Sequence, residues 1–310
     1  MEKTKKQKIA AVIVTYNRKD LLRECLSSLL NQNFSLASII VIDNNSNDGT
    51  RNMISDEFDI KEIDYYQLSE NSGGAGGFYE GIKKAYEKGF DWIWCMDDDA
   101  IPDKSALEEL IKAKKFLENE GKEIGFLNSN VFDLKGNPMN SPHLDITKKS
   151  ETNYPLWTKY SGKGILPINA GTFVSLLVSR KAIKELGLPI KEFFIWGDDI
   201  EYTHRISRKF EGYFIGKSKV IHKRKISRSI DILEENEKKR IKNHYYFYRN
   251  NSYTLKKFEK RRYFLFALPN WVIRKPLLAL FTDKGIQKFK IILKGTLAGI
   301  LFNPKIEYIN

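Results

Sequence analysis

The chain has 310 residues, of which 42% are hydrophobic and 29% charged, enough apolar content for a sizeable core and too much for a disordered chain. Its net charge of +13 divides unevenly: residues 1–201 hold 26 Lys+Arg against 31 Asp+Glu, a net of −5, and residues 202–310 hold 26 against 8, a net of +18. Two isolated cysteines, Cys25 and Cys95, argue against a disulfide framework or a zinc site and suit buried thiols in a reducing cytoplasm.

The first strand is expected over residues 9–14, an apolar run that passes directly into Thr15, Tyr16, Asn17 and Arg18. That core is too short for a signal peptide, although the preceding segment is basic. Leu21, Leu22, Cys25, Leu26, Leu29 and Leu30 recur at helical spacing, so a βα unit follows. A second buried strand over 39–43 ends on Asp43, and the turn formers of 44–50 suit a helix start. A third strand at 65–68 leads to the glycine-rich segment 70–77 and a helix through Lys88. Alternation of this kind predicts an α/β fold built on a mostly parallel, doubly wound sheet. No stretch reaches the ~18 uninterrupted apolar residues of a membrane span.

Residues 91–99 form a short apolar run that ends in Asp97, Asp98 and Asp99. The carboxyl end of a parallel strand is where open α/β sheets bind ligands, and three adjacent carboxylates repel one another unless a cation lies among them. The bland alternative is an exposed acidic turn before a helix starting near Pro102 and Asp103. Gly73, Gly74, Gly76 and Gly77 do not fit G-x-G-x-x-G and follow the third strand, which argues against a dinucleotide site. They allow either close backbone approach to a phosphate or sugar at a helix N-terminus or simply tight helix–sheet packing.

After a helix to about Leu117 the pattern turns antiparallel: strands at 124–128 and 131–132 flank a turn over 133–138, and 171–178 reads as another strand. The polar segment 137–164 is expected to form a loop over the site, a lid. Phe193, Phe194 and Trp196 then precede Asp198, Asp199 and Glu201. One of Asp198 and Asp199 can cap the helix continued by Ile200, Thr203 and Ile206, while an acid left in that apolar setting gains a pKa suited to a general base. His222 ends a short strand pair over 213–216 and 220–224. A lone histidine is more often structural, but imidazole is a good ligand for manganese-like ions beside Asp97 and Asp99; His143, His204 and His244 offer nothing comparable.

The segments 14–18, 41–50, 71–77 and 97–99, with Trp196 to Tyr202, Val220 to His222 and His244 to Asn250, together resemble family 2 inverting glycosyltransferases of the GT-A fold, in the galactofuranosyltransferase and rhamnosyltransferase branch. The resemblance runs in register over about residues 9–250. It implies that Thr15, Arg18, Asp43 and Asn45 hold the nucleotide of the donor, that Asn71, Gly73, Gly74 and Gly77 lie along it, and that Asp98 contacts its sugar or ribose. It further implies Asp97, Asp99 and His222 as ligands of Mn²⁺ or Mg²⁺, Asp199 as the base, and Trp196, Asp198 and Glu201 as the acceptor side. The donor would be UDP- or dTDP-linked, galactofuranose first and rhamnose second, and the acceptor a lipid-linked saccharide of cell-surface polysaccharide synthesis. Residues 164–170 carry fewer aromatics than the galactofuranosyl pattern, so the donor family is better fixed than the donor sugar.

A catalytic domain over 1–228 and a helical, basic region over 229–310 are therefore expected. In the latter, apolar segments broken by Arg274, Lys275, Pro276 and Lys294 suggest a helix lying in a membrane interface, which places the protein peripherally on the anionic cytoplasmic face of the cell membrane. A solvated basic face over an ordinary helical subdomain is the alternative. A nucleic-acid-binding role for the +18 tail lacks any recognised signature, and a sugar nucleotidyltransferase would show glycines straight after the first strand, where Thr15 to Arg18 has none. No nucleic-acid partner is expected, and a homo-oligomer stays open.

Overall fold

The computed structural model describes residues 7–59, 61–224 and 231–309. The expected alternation is present: β1 (Ile9–Thr15), α1 (Lys19–Leu30), β2 (Ser38–Asp43), α2 (Thr50–Glu57), β3 (Ile63–Gln67), α3 (Gly73–Glu87) and β4 (Trp92–Asp97). Then follow β5 (Ala100–Pro102), α4 (Ala106–Asn119), β6 (Ile124–Phe132), β7 (Pro138–Met139), β8 (His143–Leu144), β9 (Ile165–Ala170), β10 (Leu176–Ser179), α5 (Arg180–Leu186), α6 (Asp198–Ser207) and β11 (Glu211–His222). The basic region is helical, with α7 (Lys238–Phe258), α8 (Lys260–Arg262), α9 (Lys275–Ala279) and α10 (Gly285–Leu301). The domain boundary expected between 228 and 229 lies outside the described residues.

The strands form one mixed sheet in the order β3-β2-β1-β4-β10-β6-β11-β9-β8, with β5 added to β11 and β7 to β6. The longer ladders, β3 to β2 to β1 to β4 and β6 to β11, are parallel, and β10 joins the two halves by running antiparallel to both its neighbours. Burial on both faces explains why the parallel strands read as unbroken apolar runs. Along β1, Ile9, Ala11 and Ile13 enter the layer packed by α1 and α4, while Ala10, Val12 and Val14 enter the opposite layer packed by α3. Each fully buried Ile or Leu there contributes roughly 1.5–3 kcal/mol over an exposed one.

Several boundaries differ from expectation for identifiable reasons. The glycine-rich segment is the first turns of α3 and not a loop before it. The strand expected over 171–178 is shorter, because Phe173–Ser175 turns as a 3-10 helix before β10. The strand pair around His222 is one long strand, β11, whose pairing with β6 shifts register between Ile215 and Lys219. A bulge of this kind breaks the apolar alternation that sequence periodicity relies on.

Candidate active site

The order β3-β2-β1-β4 reverses direction between β1 and β4, and the crevice outside the carboxyl ends of the strands at such a point is the expected ligand site. Thr15 ends β1 and Asp97 ends β4, with Val14 paired to Asp97. Thr15 Oγ1 donates to Asp98 Oδ2 at 2.8 Å across this point. Arg18 Nη1 bridges Asp98 Oδ1 at 3.1 Å and Asp99 Oδ2 at 3.0 Å while its side chain stays half exposed. Asp98 is thus buried and engaged by both Thr15 and Arg18; burial raises its pKa to about 7, with Arg18 acting in the opposite sense.

His222 reaches the acids through a pairing that the sequence did not announce. The short strand β5 runs antiparallel to β11 and sets Ala100 opposite His222, and Lys223 N–H donates to Asp99 O at 2.8 Å. His222 Nε2 then lies 2.9 Å from Asp99 Oδ1 and 3.8 Å from Asp97 Oδ2. One ligand atom each from Asp97, Asp99 and His222 falls within 4.8 Å of the others. Burial works against ionisation of Asp99, yet a protonated His222, through its hydrogen bond and charge, together with Arg18 and Arg224 would hold it below the usual carboxylate range, whereas burial and then Asp99 push Asp97 up.

These residues fit a divalent cation. On the opposite edge of the imidazole, Nδ1 stands 2.9 Å from Asn140 Oδ1. With the carbonyl oxygen accepting, Nδ1 carries the proton and Nε2 turns its lone pair toward the acids. Asp99 Oδ1 is buried without a hydrogen-bond partner in that state, so a lone pair faces a carboxylate oxygen, an arrangement that a cation between them relieves. Asn140 lies in the segment expected as a lid, and its signal in the sequence was one asparagine among many polar residues.

The residues expected on the nucleotide side cluster at the ends of β1 and β2. Asp43 is fully buried, with Oδ1 accepting from Ser46 N–H at 2.8 Å and Oδ2 from Tyr65 Oη at 2.5 Å. Asn45 adopts φ +66° and donates from Nδ2 to Ser69 O at 3.2 Å. Its neighbour Asn44, not singled out in the sequence, is buried and fastens α3 by donating to Gly73 O at 3.1 Å and accepting from Ser72 Oγ at 2.9 Å. Asn71 Oδ1 accepts from Gly73 N–H at 2.8 Å. The glycines divide between the two readings offered for them. A Cβ on Gly77 would lie 2.3 Å from Val14 Cγ1, so that residue serves helix–sheet packing, whereas a Cβ on Gly74 would meet nothing within 4 Å.

The second acidic constellation stands at the N-terminus of α6. Neither aspartate caps it: Gly197, at φ +87°, occupies the cap position, which leaves Asp198 and Asp199 in the first turn. Asp198 is buried and Asp199 half-buried, with Asp199 Oδ1 accepting from Ile200 N–H at 2.8 Å. Burial raises Asp199 to about 6 and Asp198 well above the carboxylate range, Asp199 adding to the latter by its charge. Trp196, at φ +64°, is half-buried with its ring 5.2 Å from that of His244. Glu201 faces inward from the same helix. It is 0% exposed and ion-paired to Arg205 at 3.0 Å and Lys257 at 3.3 Å, contacts that join α6 to α7.

Comparison with known proteins accords with this geometry. The family model described as Glycosyl transferase family 2 matches residues 10–184. Galactofuranosyltransferase GlfT1 of Mycolicibacterium smegmatis is 26% identical over 201 residues, 64% of this chain and 65% of that protein. GlfT1 of Mycobacterium tuberculosis is 29% identical over 208 residues, 65% of either chain, so the present chain spans about 65% of the length of these relatives. Among solved structures, S. aureus TarS in complex with UDP superposes with a TM-score of 0.53 at 13% identity, over 95% of this chain and 92% of that one. A GalNAc transferase solved with UDP, GalNAc and Mn²⁺ gives a TM-score of 0.55 at 14% identity, over 85% and 57%. At such identities the structural likeness concerns the fold, the GT-A arrangement of a mixed sheet between helices.

Proposed function

Because the chain belongs to glycosyl transferase family 2, we propose that it transfers a sugar, galactofuranose from UDP-galactofuranose before rhamnose from dTDP-rhamnose, to a lipid-linked saccharide with inversion at the anomeric carbon. The observation that carries this reading is the juxtaposition of the Asp97, Asp99 and His222 cluster at the β4 end with the high-pKa Asp199 at the start of α6. A divalent ion held by the cluster, Mn²⁺ or Mg²⁺, would supply charge neutralisation for the departing diphosphate. Asp43 and Asn45 bind the nucleotide, and Arg18, braced by Asp98 and Asp99, adds positive charge beside the diphosphate. The open backbone at Gly74 lies along the donor. Asp199 accepts the proton of the acceptor hydroxyl as that oxygen attacks the anomeric carbon in line, and the sugar–phosphate bond breaks in the same displacement. Trp196 offers an apolar face to the acceptor ring, with Asp198 beside it.

Galactofuranose is favoured by the relatives at 26% and 29% identity, both galactofuranosyltransferases. A donor panel tests the assignment: UDP-galactofuranose should give metal-dependent UDP release in the presence of a lipid-diphosphate-linked saccharide, and release only from dTDP-rhamnose would move the chain to the second donor.

The acceptor side of the proposal includes the membrane. No helix among the described residues is long and apolar enough to cross one. The basic region nevertheless exposes Phe281 at 90%, Phe266 at 69% and Ile286 at 68%, in segments that also expose Arg261, Arg262, Arg274, Lys284 and Lys290. Apolar side chains among cations suit an anionic lipid surface, which would present a lipid-linked acceptor on the cytoplasmic face. Cosedimentation with phosphatidylglycerol vesicles at low salt, weakened by Phe281→Asp, is the expected result, and no binding would remove the membrane from the account.

A further inference from the structure

The segment that delivers Asp198 and Asp199 is held in a costly conformation. Phe194 and Trp196 both adopt positive φ, 63° and 64°, followed by Gly197 at 87°. Left-handed backbone at a bulky residue costs about 1–2 kcal/mol, and such strain persists only where surrounding contacts over-determine it.

Those contacts come from α7, which the sequence assigns to the basic region and not to the catalytic fold. Asn250 is 0% exposed. Its Nδ2 faces three carbonyls of the segment, Phe193 O at 3.0 Å, Ile195 O at 3.1 Å and Trp196 O at 2.8 Å. Its Oδ1 accepts from Arg249 Nε at 3.0 Å, which fixes which end of the amide is which. Arg249 Nη2 in turn donates to Glu192 O at 2.5 Å and Phe193 O at 3.2 Å. On the other side, Ala75 N–H donates to Phe194 O at 3.2 Å from the first turn of α3. That approach requires glycine at position 73, where a Cβ would lie 2.0 Å from Phe194 O. The strained segment is therefore gripped between the glycine-rich helix and one asparagine.

We infer that Asn250, steadied by Arg249, is the positioning residue that holds segment 193–197 in its strained form and through it sets the place of Asp199. This inference rests on the base role proposed for Asp199. No described group other than this amide holds all three carbonyls. Withdrawing its donors removes the side-chain partner of Ile195 O and Trp196 O, while Phe193 O keeps Arg249 Nη2 and Ile195 N–H, and lets the segment relax toward ordinary backbone angles. A displacement of the order of 1 Å at a catalytic group costs about 100-fold in rate.

Asn250→Asp keeps the shape and the acceptor for Arg249 but turns an oxygen toward three carbonyls. Transfer from UDP-galactofuranose to a lipid-diphosphate-linked saccharide should fall about 100-fold in kcat. UDP affinity by calorimetry should stay within about threefold, because Asp43, Asn45 and the Asp97 cluster are untouched. Ile292→Ala in α10, buried against Tyr248 of α7, serves as a comparator that loosens α7 without touching the segment, and should leave kcat within about threefold. Fluorine NMR of the fluorotryptophan-labelled chain reads the segment without turnover: among resonances from five tryptophans, the one lost in Trp196→Phe should shift in Asn250→Asp and not in Ile292→Ala. If Asn250→Asp does not fold, Asn250→Ser replaces it with the same expectations. Near wild-type kcat in the Asn250 variant, or an equal loss in Ile292→Ala, overturns the positioning role. Absence of wild-type turnover from any nucleotide sugar overturns instead the activity beneath it, while the fluorine shift still reports whether Asn250 holds the segment.

Discussion

Replacement of Asn140 by alanine tests how the proposed metal site is built. The substitution removes the 2.9 Å acceptor of His222 Nδ1–H and touches neither Asp97 nor Asp99. Without it the imidazole proton is free to move to Nε2, where Asp99 Oδ1 stands 2.9 Å away and accepts it. A cation then has to displace a proton from the very atom it needs. Loss of an outer partner of this kind lowers metal affinity about 10–100-fold, which corresponds to about 1.4–2.8 kcal/mol. Titration calorimetry of the metal-free protein with MnCl₂ at neutral pH measures it directly, with His222→Ala as the reference for a larger loss. A nitrogen-15 NMR signal of His222 Nε2 that is pyridine-like in the metal-free wild type and pyrrole-like in Asn140→Ala would identify the tautomer as the cause. Unchanged Mn²⁺ affinity in Asn140→Ala would refute the orientation argument and leave His222 without an assigned lone pair.

Other outcomes follow from the same geometry. Asp199, raised to about 6 by burial, must be ionised to accept a proton, so kcat should be lost as pH falls through about 6, and a flat profile between pH 5 and pH 8, about one unit below and two above that value, would contradict it. The metal-free fold carries a related signature. Asp98 and Asp199 have folded pKa values of about 7 and about 6, above the ~3.9 of an unfolded aspartate. The stabilising contribution of their protonated forms is present below about 4 and lost as pH rises through about 6 to 7. Thermal unfolding of the metal-free protein should therefore show a falling Tm across that window, with Mn²⁺ raising Tm more at pH 7 than at pH 5; a Tm rising with pH would contradict it. Gly73→Ala, which combines φ +74° with a Cβ 2.0 Å from Phe194 O, should cost more than the roughly 1–2 kcal/mol of left-handed backbone alone, read as a drop in the urea midpoint.

Much of the fold was legible because parallel strands buried on both faces are nearly pure apolar runs, and because Leu22, Cys25, Leu26 and Leu29 mark the inner face of α1 without interruption. The triple acid and the Asp198 and Asp199 pair were visible for the same reason, since carboxylates directly after apolar segments are conspicuous. What escaped depends on contacts between distant segments. Glu201 reads like its neighbours Asp198 and Asp199, and only the helical turn that carries it inward to Arg205 and Lys257 reveals an ion pair. Asn44 and Asn45 are adjacent and alike, yet the turn after β2, with Asn45 at φ +66°, buries one against α3 and leaves the other at the surface of the turn. Asn140 and Asn250 act on His222 and on segment 193–197 across 82 and 54 to 57 residues of sequence, and a side-chain amide gives no local periodicity by which such a partner could be read.

The proposed division of labour between the β4 end and the α6 start is tested most directly by Asp199→Asn. Transfer from the accepted nucleotide sugar, measured under saturating donor and Mn²⁺, should fall by about 100- to 10,000-fold, while UDP and Mn²⁺ affinities measured by calorimetry remain near wild type. Near wild-type transfer by Asp199→Asn would contradict the assignment of the base, and loss of UDP or Mn²⁺ binding in step with activity would place Asp199 on the donor side of the site instead.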